Sequence, residues 1–280
     1  MQFPNQLNPG SQEFLELREQ LAAQIPIEAM LSLAEQTHQT AQELLAHSLF
    51  TEQWRWHKDW IRERIDWKSN SIPAKEIIIQ AQNEVALSDA GALCSHVIRT
   101  TLRPLFTNHG SRNPMALIPR SEGIALTTPF SKSAHLTPAS AGTHWLKRAR
   151  TSTYPEEKRE KFFHHFLLSL GLLISHPFCD GNGRLSRVML NTAAYTPSKK
   201  AFPWSVFFLL RNGKYLYNVL PNFRGPQLNL CIFSAAGEAV KDAESKLNQL
   251  SDIQAKAAIL PNHPTRPGQQ ARWKKPFLFS

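Results

Sequence analysis

Residues 176–187 read His-Pro-Phe-Cys-Asp-Gly-Asn-Gly-Arg-Leu-Ser-Arg. They set a base, a hard oxygen ligand, a glycine-flanked loop and two cations side by side. Histidine suits general-base work because its unperturbed pKa lies near operating pH. Pro177 disfavours the helical region for the residue before it, so His176 is expected at a chain break. Asp180 offers one carboxylate of the kind magnesium takes while keeping its remaining shell for water and phosphate. Gly181 and Gly183 bracket Asn182, which lets successive N–H groups converge on one anion. Arg184-Leu-Ser-Arg187-Val-Met-Leu-Asn reads as the start of a helix, whose N-terminal N–H groups and dipole favour negative charge at the same place. The two arginines, three apart, share a helix face and carry fork-shaped donors suited to phosphate oxygens. Taken singly, a His-Pro turn, a glycine loop and two solvated arginines explain themselves. Together they specify a compact anion and metal site with a base beside it.

The segment resembles the signature H-P-F-x-D-G-N-G-R-x-x-R of the Fic domain family, with all nine defined positions filled. Nine matches at a frequency near one in twenty each give a chance per window on the order of 10⁻¹², which excludes coincidence. The resemblance implies transfer of AMP from ATP, with Mg²⁺, to a hydroxyl side chain of a target protein. It makes His176 the base that takes the target's proton and Asp180 the magnesium ligand. Gly181, Asn182 and Gly183 become the anion hole for the α-phosphate, Arg184 a phosphate clamp and Arg187 the cation that fixes the terminal phosphate. Phe178 would anchor the loop in the core. Glycine at 183 argues for nucleotidyl transfer, since family members with lysine there include kinases.

Two further parts follow from the same resemblance. A flap, a hairpin that holds the target segment by strand addition, is assigned to Leu117–Phe130. Ser121-Glu122-Gly123 would form its turn, and Ile124 and Leu126 would lie on one face of the returning strand; a plain surface loop is the alternative. An inhibitory glutamate is sought in Ser48-Leu-Phe-Thr-Glu52-Gln53, where Gln53 departs from the family pattern, or in Ser234-Ala-Ala-Gly-Glu238-Ala239, where Ala239 does. If neither inhibits, a separate antitoxin chain or no regulation remains.

The elements that must position these residues are mostly helical, and the expected class is all-α, a Fic-type bundle with a small β-hairpin flap. Phe162, Phe163, Phe166, Leu167, Leu170 and Ile174 recur at helical spacing, and Thr153 with Glu156 has the spacing of a capping box, so a buried helix should end near Ser175. Helical patterns also cover 11–24 and 27–50, separated by Pro26, then 74–86, 90–102, 204–210 and 234–250. The segment Thr51–Trp67 holds Trp54, Trp56, Trp60 and Trp67. Its acids offset most of its bases, so the tryptophans read as core packing rather than as a base-stacking surface. The expected division is an N-terminal helical region at 1–87, a Fic domain at 88–255 and a basic, disordered tail at 256–280.

The chain has 280 residues, ordinary hydrophobic content at 42% and a formal charge of +10. Arg266, Arg272, Lys274 and Lys275 supply +4 of that charge after Pro261, with no acid to oppose them. The remainder is spread along the chain, which argues against a dedicated nucleic-acid face. No apolar run reaches membrane-spanning length. Three unpaired cysteines without metal-like spacing and no Sec-type leader lead us to expect a cytoplasmic protein, with non-classical secretion as an effector left open. The expected partner is a protein modified on Ser, Thr or Tyr, with self-association and an antitoxin as further options. Two other readings share the chain: the same site could remove AMP or use another nucleotide or a phosphocholine donor, or the chain could be a macromolecule-binding module without catalysis.

Overall fold

The computed structural model describes residues 3–34, 119–126, 135–179, 182–191, 204, 206–211 and 223–259. Among these the chain is mostly helical. A 3-10 turn at Asn5–Leu7 leads into α1, Gln12–Gln24, which starts where Ser11 accepts a hydrogen bond from the Phe14 N–H at 3.2 Å. The chain breaks before Pro26 and is helical again over 28–34. Strands β1, Ile124–Leu126, and β2, His135–Thr137, form an antiparallel pair with Ala125 opposite Leu136. The helices α2, Ala139–Thr151, α3, Lys158–Ser175, and α4, Asn182–Asn191, follow. A π-helical turn at Val206–Arg211 precedes the long α5, Gly225–Ile259, which runs past the expected domain end at 255.

α3 is the centre of the described residues. Every residue from Phe162 to Ser175 is buried, the pattern of a helix covered on all sides rather than on one stripe. It packs against α4, α1, α2 and the first 3-10 turn. Phe162 meets Phe163, Trp204 and Phe208 edge to face with ring centroids 5.0 to 5.5 Å apart, an arrangement that adds to simple area burial. The start of α3 differs from the capping-box expectation. Glu157 is the N-cap, accepting from the Glu160 N–H at 2.9 Å, and Thr153-Glu156 lies outside the helix. Pro155 explains the shift, because the residue before a proline is pushed out of helical geometry.

The polar groups inside α3 bind it to its neighbours. Ser186 Oγ donates to the Ser169 carbonyl at 3.0 Å, while the Ser169 hydroxyl reaches the carbonyls of His165 and Ser186. His165 Nδ1 faces the Met189 carbonyl at 2.6 Å and Nε2 faces the Tyr154 hydroxyl at 2.6 Å. A carbonyl only accepts, so Nδ1 carries the proton and the tyrosine donates to Nε2. At the other end, the buried Arg18 of α1 reaches Glu160 of α3 at 3.1 Å.

This arrangement keeps two adjacent histidines neutral. Burial, with smaller contributions from His165 and Arg18, lowers His164 to about 3. Burial also lowers His165 to about 4, against a smaller opposing effect of the Met189 carbonyl, with Lys161 adding slightly to the depression. In the unfolded chain both protonate near 6.5. Above that pH neither state binds the proton and the stabilisation is complete. As pH falls below 6.5 the unfolded chain takes up protons that the folded chain refuses, and stability drops by up to about 1.4 kcal/mol per pH unit per histidine. The melting temperature is therefore expected to be several degrees lower at pH 5 than at pH 7. Equal melting temperatures at the two pH values would show that these rings do not limit acid stability.

Candidate functional site

His176 caps the C-terminus of α3. Its N–H still donates to the Leu172 carbonyl at 3.0 Å, but its backbone has turned left-handed, with φ 45° and ψ 59°. Among the described residues no other non-glycine has positive φ. A side chain in this region costs on the order of 1 kcal/mol and persists only where the surroundings hold it. Pro177 then ends the helix, Phe178 is buried at 2% exposure, and α4 opens at Asn182. The motif is thus a short link between the end of one buried helix and the start of the next, as its residues led us to expect.

Asn182 shapes this link. Its side chain is buried at 1% exposure, its Oδ1 accepts from the Phe178 N–H at 3.0 Å and its Nδ2 donates to the Phe178 carbonyl at 2.8 Å. Both ends of the amide are engaged by one residue's main chain. A phosphate contact from position 182 would therefore come from its backbone N–H, one of the four unpaired donors in the first turn of a helix. Gly183 is half-buried in that turn, and Arg184 and Arg187 lie in the first two turns of α4. Asp180 and Gly181 lie outside the described residues. A single carboxylate at Asp180 would match magnesium's habit of taking one or two protein oxygens and filling its shell with water and phosphate. Among the described residues no group of three or more His, Cys, Asp or Glu gathers to hold a metal. Cys179 is a half-buried free thiol.

The hairpin differs from the expected flap. Ser121, Glu122 and Gly123 do not form its turn; they are an exposed bend leading into β1, and Ile124 begins that strand. The strand that pairs with β1 is β2, and residues 127–134 between them lie outside the described residues. Ser-Glu-Gly carries the local signals of a turn, but pairing chose a partner further along the chain. The segment leading into β1 meets the motif directly: Pro119 forms a bridge with Phe178, and the Arg120 N–H donates to the Pro177 carbonyl at 3.0 Å.

Two glycines let neighbouring elements come this close. A Cβ on Gly142 of α2 would lie 2.6 Å from Pro177 Cα, so α2 rests against the backbone of the motif itself. A Cβ on Gly171 of α3 would meet Trp145 Nε1 and the Leu7 carbonyl oxygen. Neither glycine stood out in the sequence: Gly171 sits within a helical pattern, and no pattern marked the helix Ala139–Thr151 that holds Gly142. Arg120 was equally inconspicuous, although its side chain and its N–H bind the carbonyls of Ser175, His176 and Pro177. Its side-chain partners are main-chain carbonyls up to 56 residues away, for which no side-chain pattern exists.

Glu238 lies on the solvent face of α5 and pairs with Lys241 at 3.5 Å. α5 packs through Leu228, Ile232, Ala235, Ala236, Ala239, Val240, Ala243 and Leu247, chiefly against the π-helical turn. Ser48, Glu52 and the tryptophan-rich segment lie outside the described residues, as does the tail from residue 260. Among the described residues no helix is long and apolar enough to cross a membrane. No family model matches the chain, and no curated protein matches it.

Proposed function

We propose that this chain is a protein adenylyltransferase of Fic type, transferring AMP from ATP to a hydroxyl side chain of another protein. The observation that carries the reading is the complete signature at 176–187, with its histidine at the left-handed end of α3 and its glycine-arginine half opening α4. His176 accepts the proton of the target hydroxyl as that oxygen bonds to the α-phosphorus. The bond from the α-phosphorus to the bridging oxygen breaks, and pyrophosphate leaves with the electron pair. The N–H groups of the first turn of α4, with Arg184 and Arg187, hold the phosphates and meet the charge that grows in the transition state. Asp180 would hold magnesium, which supplies charge neutralisation along the phosphate chain. The β1–β2 pair, reached from the Pro119–Phe178 bridge through a short exposed bend, supplies a strand against which a target segment can lie.

Self-inhibition is assigned to Ser48 and Glu52 in preference to Glu238, which already pairs with Lys241 on the exposed face of α5. The test is label transfer to the protein itself and to a cell lysate from α-³²P-ATP and γ-³²P-ATP with magnesium. Transfer from the α position alone is expected, and it should rise at least tenfold in Glu52→Gly. Transfer from γ alone would make the chain a kinase. If neither labels, incubation with an AMP-modified protein distinguishes the removal reaction from an inert module.

A further inference from the structure

Arg120 is buried at 8% exposure, and each of its five guanidinium hydrogens has a carbonyl to receive it. Nε donates to the His176 carbonyl; Nη1 donates to the carbonyls of Glu122 and, at 3.0 Å, Thr137; Nη2 donates to Pro138 at 2.9 Å and Ser175 at 3.0 Å. With its own N–H on the Pro177 carbonyl, Arg120 binds three consecutive carbonyls, those of Ser175, His176 and Pro177. Thr137 Oγ1 adds a fourth contact at the Ile174 carbonyl, 3.3 Å away. The Ile174, Ser175 and His176 carbonyls are ones that a helix end leaves without partners, and a cation there is favoured by the helix dipole. Burial lowers the pKa of the guanidinium, yet arginine starts so high that it stays charged.

We infer that Arg120 is the positioning residue of the site: it holds His176 in its left-handed conformation and fixes the hairpin to the same point, so that base and target strand share one frame. The inference rests on the adenylyltransferase reading for its kinetic consequence and on the carbonyl geometry for its structural one. The strained backbone of His176 would otherwise relax towards commoner φ/ψ, moving the imidazole away from the phosphates. Lysine cannot substitute, because three donors on one flexible nitrogen cannot span carbonyls on both the hairpin and the helix end.

The experiment compares full-length wild type, Arg120→Lys and Arg120→Gln. It reads circular dichroism and melting, the kcat and KM for AMP transfer, and the ¹³C-histidine resonance of His176, assigned by its loss in His176→Asn. Expected are folded variants whose kcat falls at least tenfold, whose KM for ATP stays within threefold, and whose His176 resonance shifts or broadens. A folded variant with wild-type kcat and an unmoved His176 resonance would overturn the assignment, and so would a loss confined to KM. If both variants fail to fold, Arg120 is a structural residue and the positioning role is wrong. If wild type transfers no AMP, the adenylyltransferase reading fails by itself, and the His176 resonance alone decides whether Arg120 holds the ring in place.

Discussion

Replacing His176 with alanine is expected to lower AMP transfer by about 10³-fold while leaving ATP affinity within about threefold of wild type. A positioned general base contributes roughly 10² to 10⁴ in rate, whereas the phosphates are held by the first turn of α4 and its arginines, which the substitution leaves in place. Alanine also changes the backbone cost at a residue with φ 45°. His176→Asn separates the two effects, because asparagine visits the left-handed region readily and yet is no base at neutral pH. Both variants should be equally inactive in single-turnover assays and should bind nucleotide equally by calorimetry. Transfer within tenfold of wild type in His176→Asn would remove His176 from the role of base.

Gly171→Ala is expected to destabilise the protein by about 2–3 kcal/mol, although alanine is the better helix former by about 1 kcal/mol. The added methyl would sit 2.6 Å from the Leu7 carbonyl oxygen and against Trp145 Nε1, and Trp145 is fully buried with no room to swing. α2 and the first 3-10 turn would have to lift away from α3, opening the core at Leu7 and Trp145. Urea unfolding should show a lower midpoint with an unchanged slope. A midpoint at or above that of wild type would mean that these elements are not in close contact across Gly171.

Much of the local structure was legible in the residues themselves. The apolar spacing of Phe162, Phe166, Leu170 and Ile174 marked a buried helix, and Pro177 marked its end at Ser175. Pro26 likewise separated α1 from the helical run at 28–34. Where a local signal was ambiguous, a second local rule or a distant partner decided. Thr153 and Glu156 have capping-box spacing, but Pro155 between them excludes the helical turn the box needs, and Glu157 caps instead. Ser121-Glu122-Gly123 has turn composition, but β1 pairs with residues 135–137 and the bend at 121–123 is only its approach. The residue type at 182 does not announce that the asparagine side chain closes the loop on Phe178 and leaves the backbone N–H to face an anion.

What the sequence by itself determined is the chemistry on offer: a base, a carboxylate, a glycine-flanked turn and two arginines within twelve residues, following a helix whose end a proline sets. Those features are local, and short-range sterics and periodicity express them directly. What only the tertiary structure decided is what holds that chemistry in place. Arg120 reaches the carbonyls of Ser175 and His176 across 55 and 56 residues, and Gly142 and Gly171 admit a motif backbone and a tryptophan at distances no side chain would allow. Main-chain carbonyls carry no residue identity, and a glycine required by a distant neighbour looks like any other glycine. Such contacts exist only once the helices have packed, so no pattern along the chain can announce them.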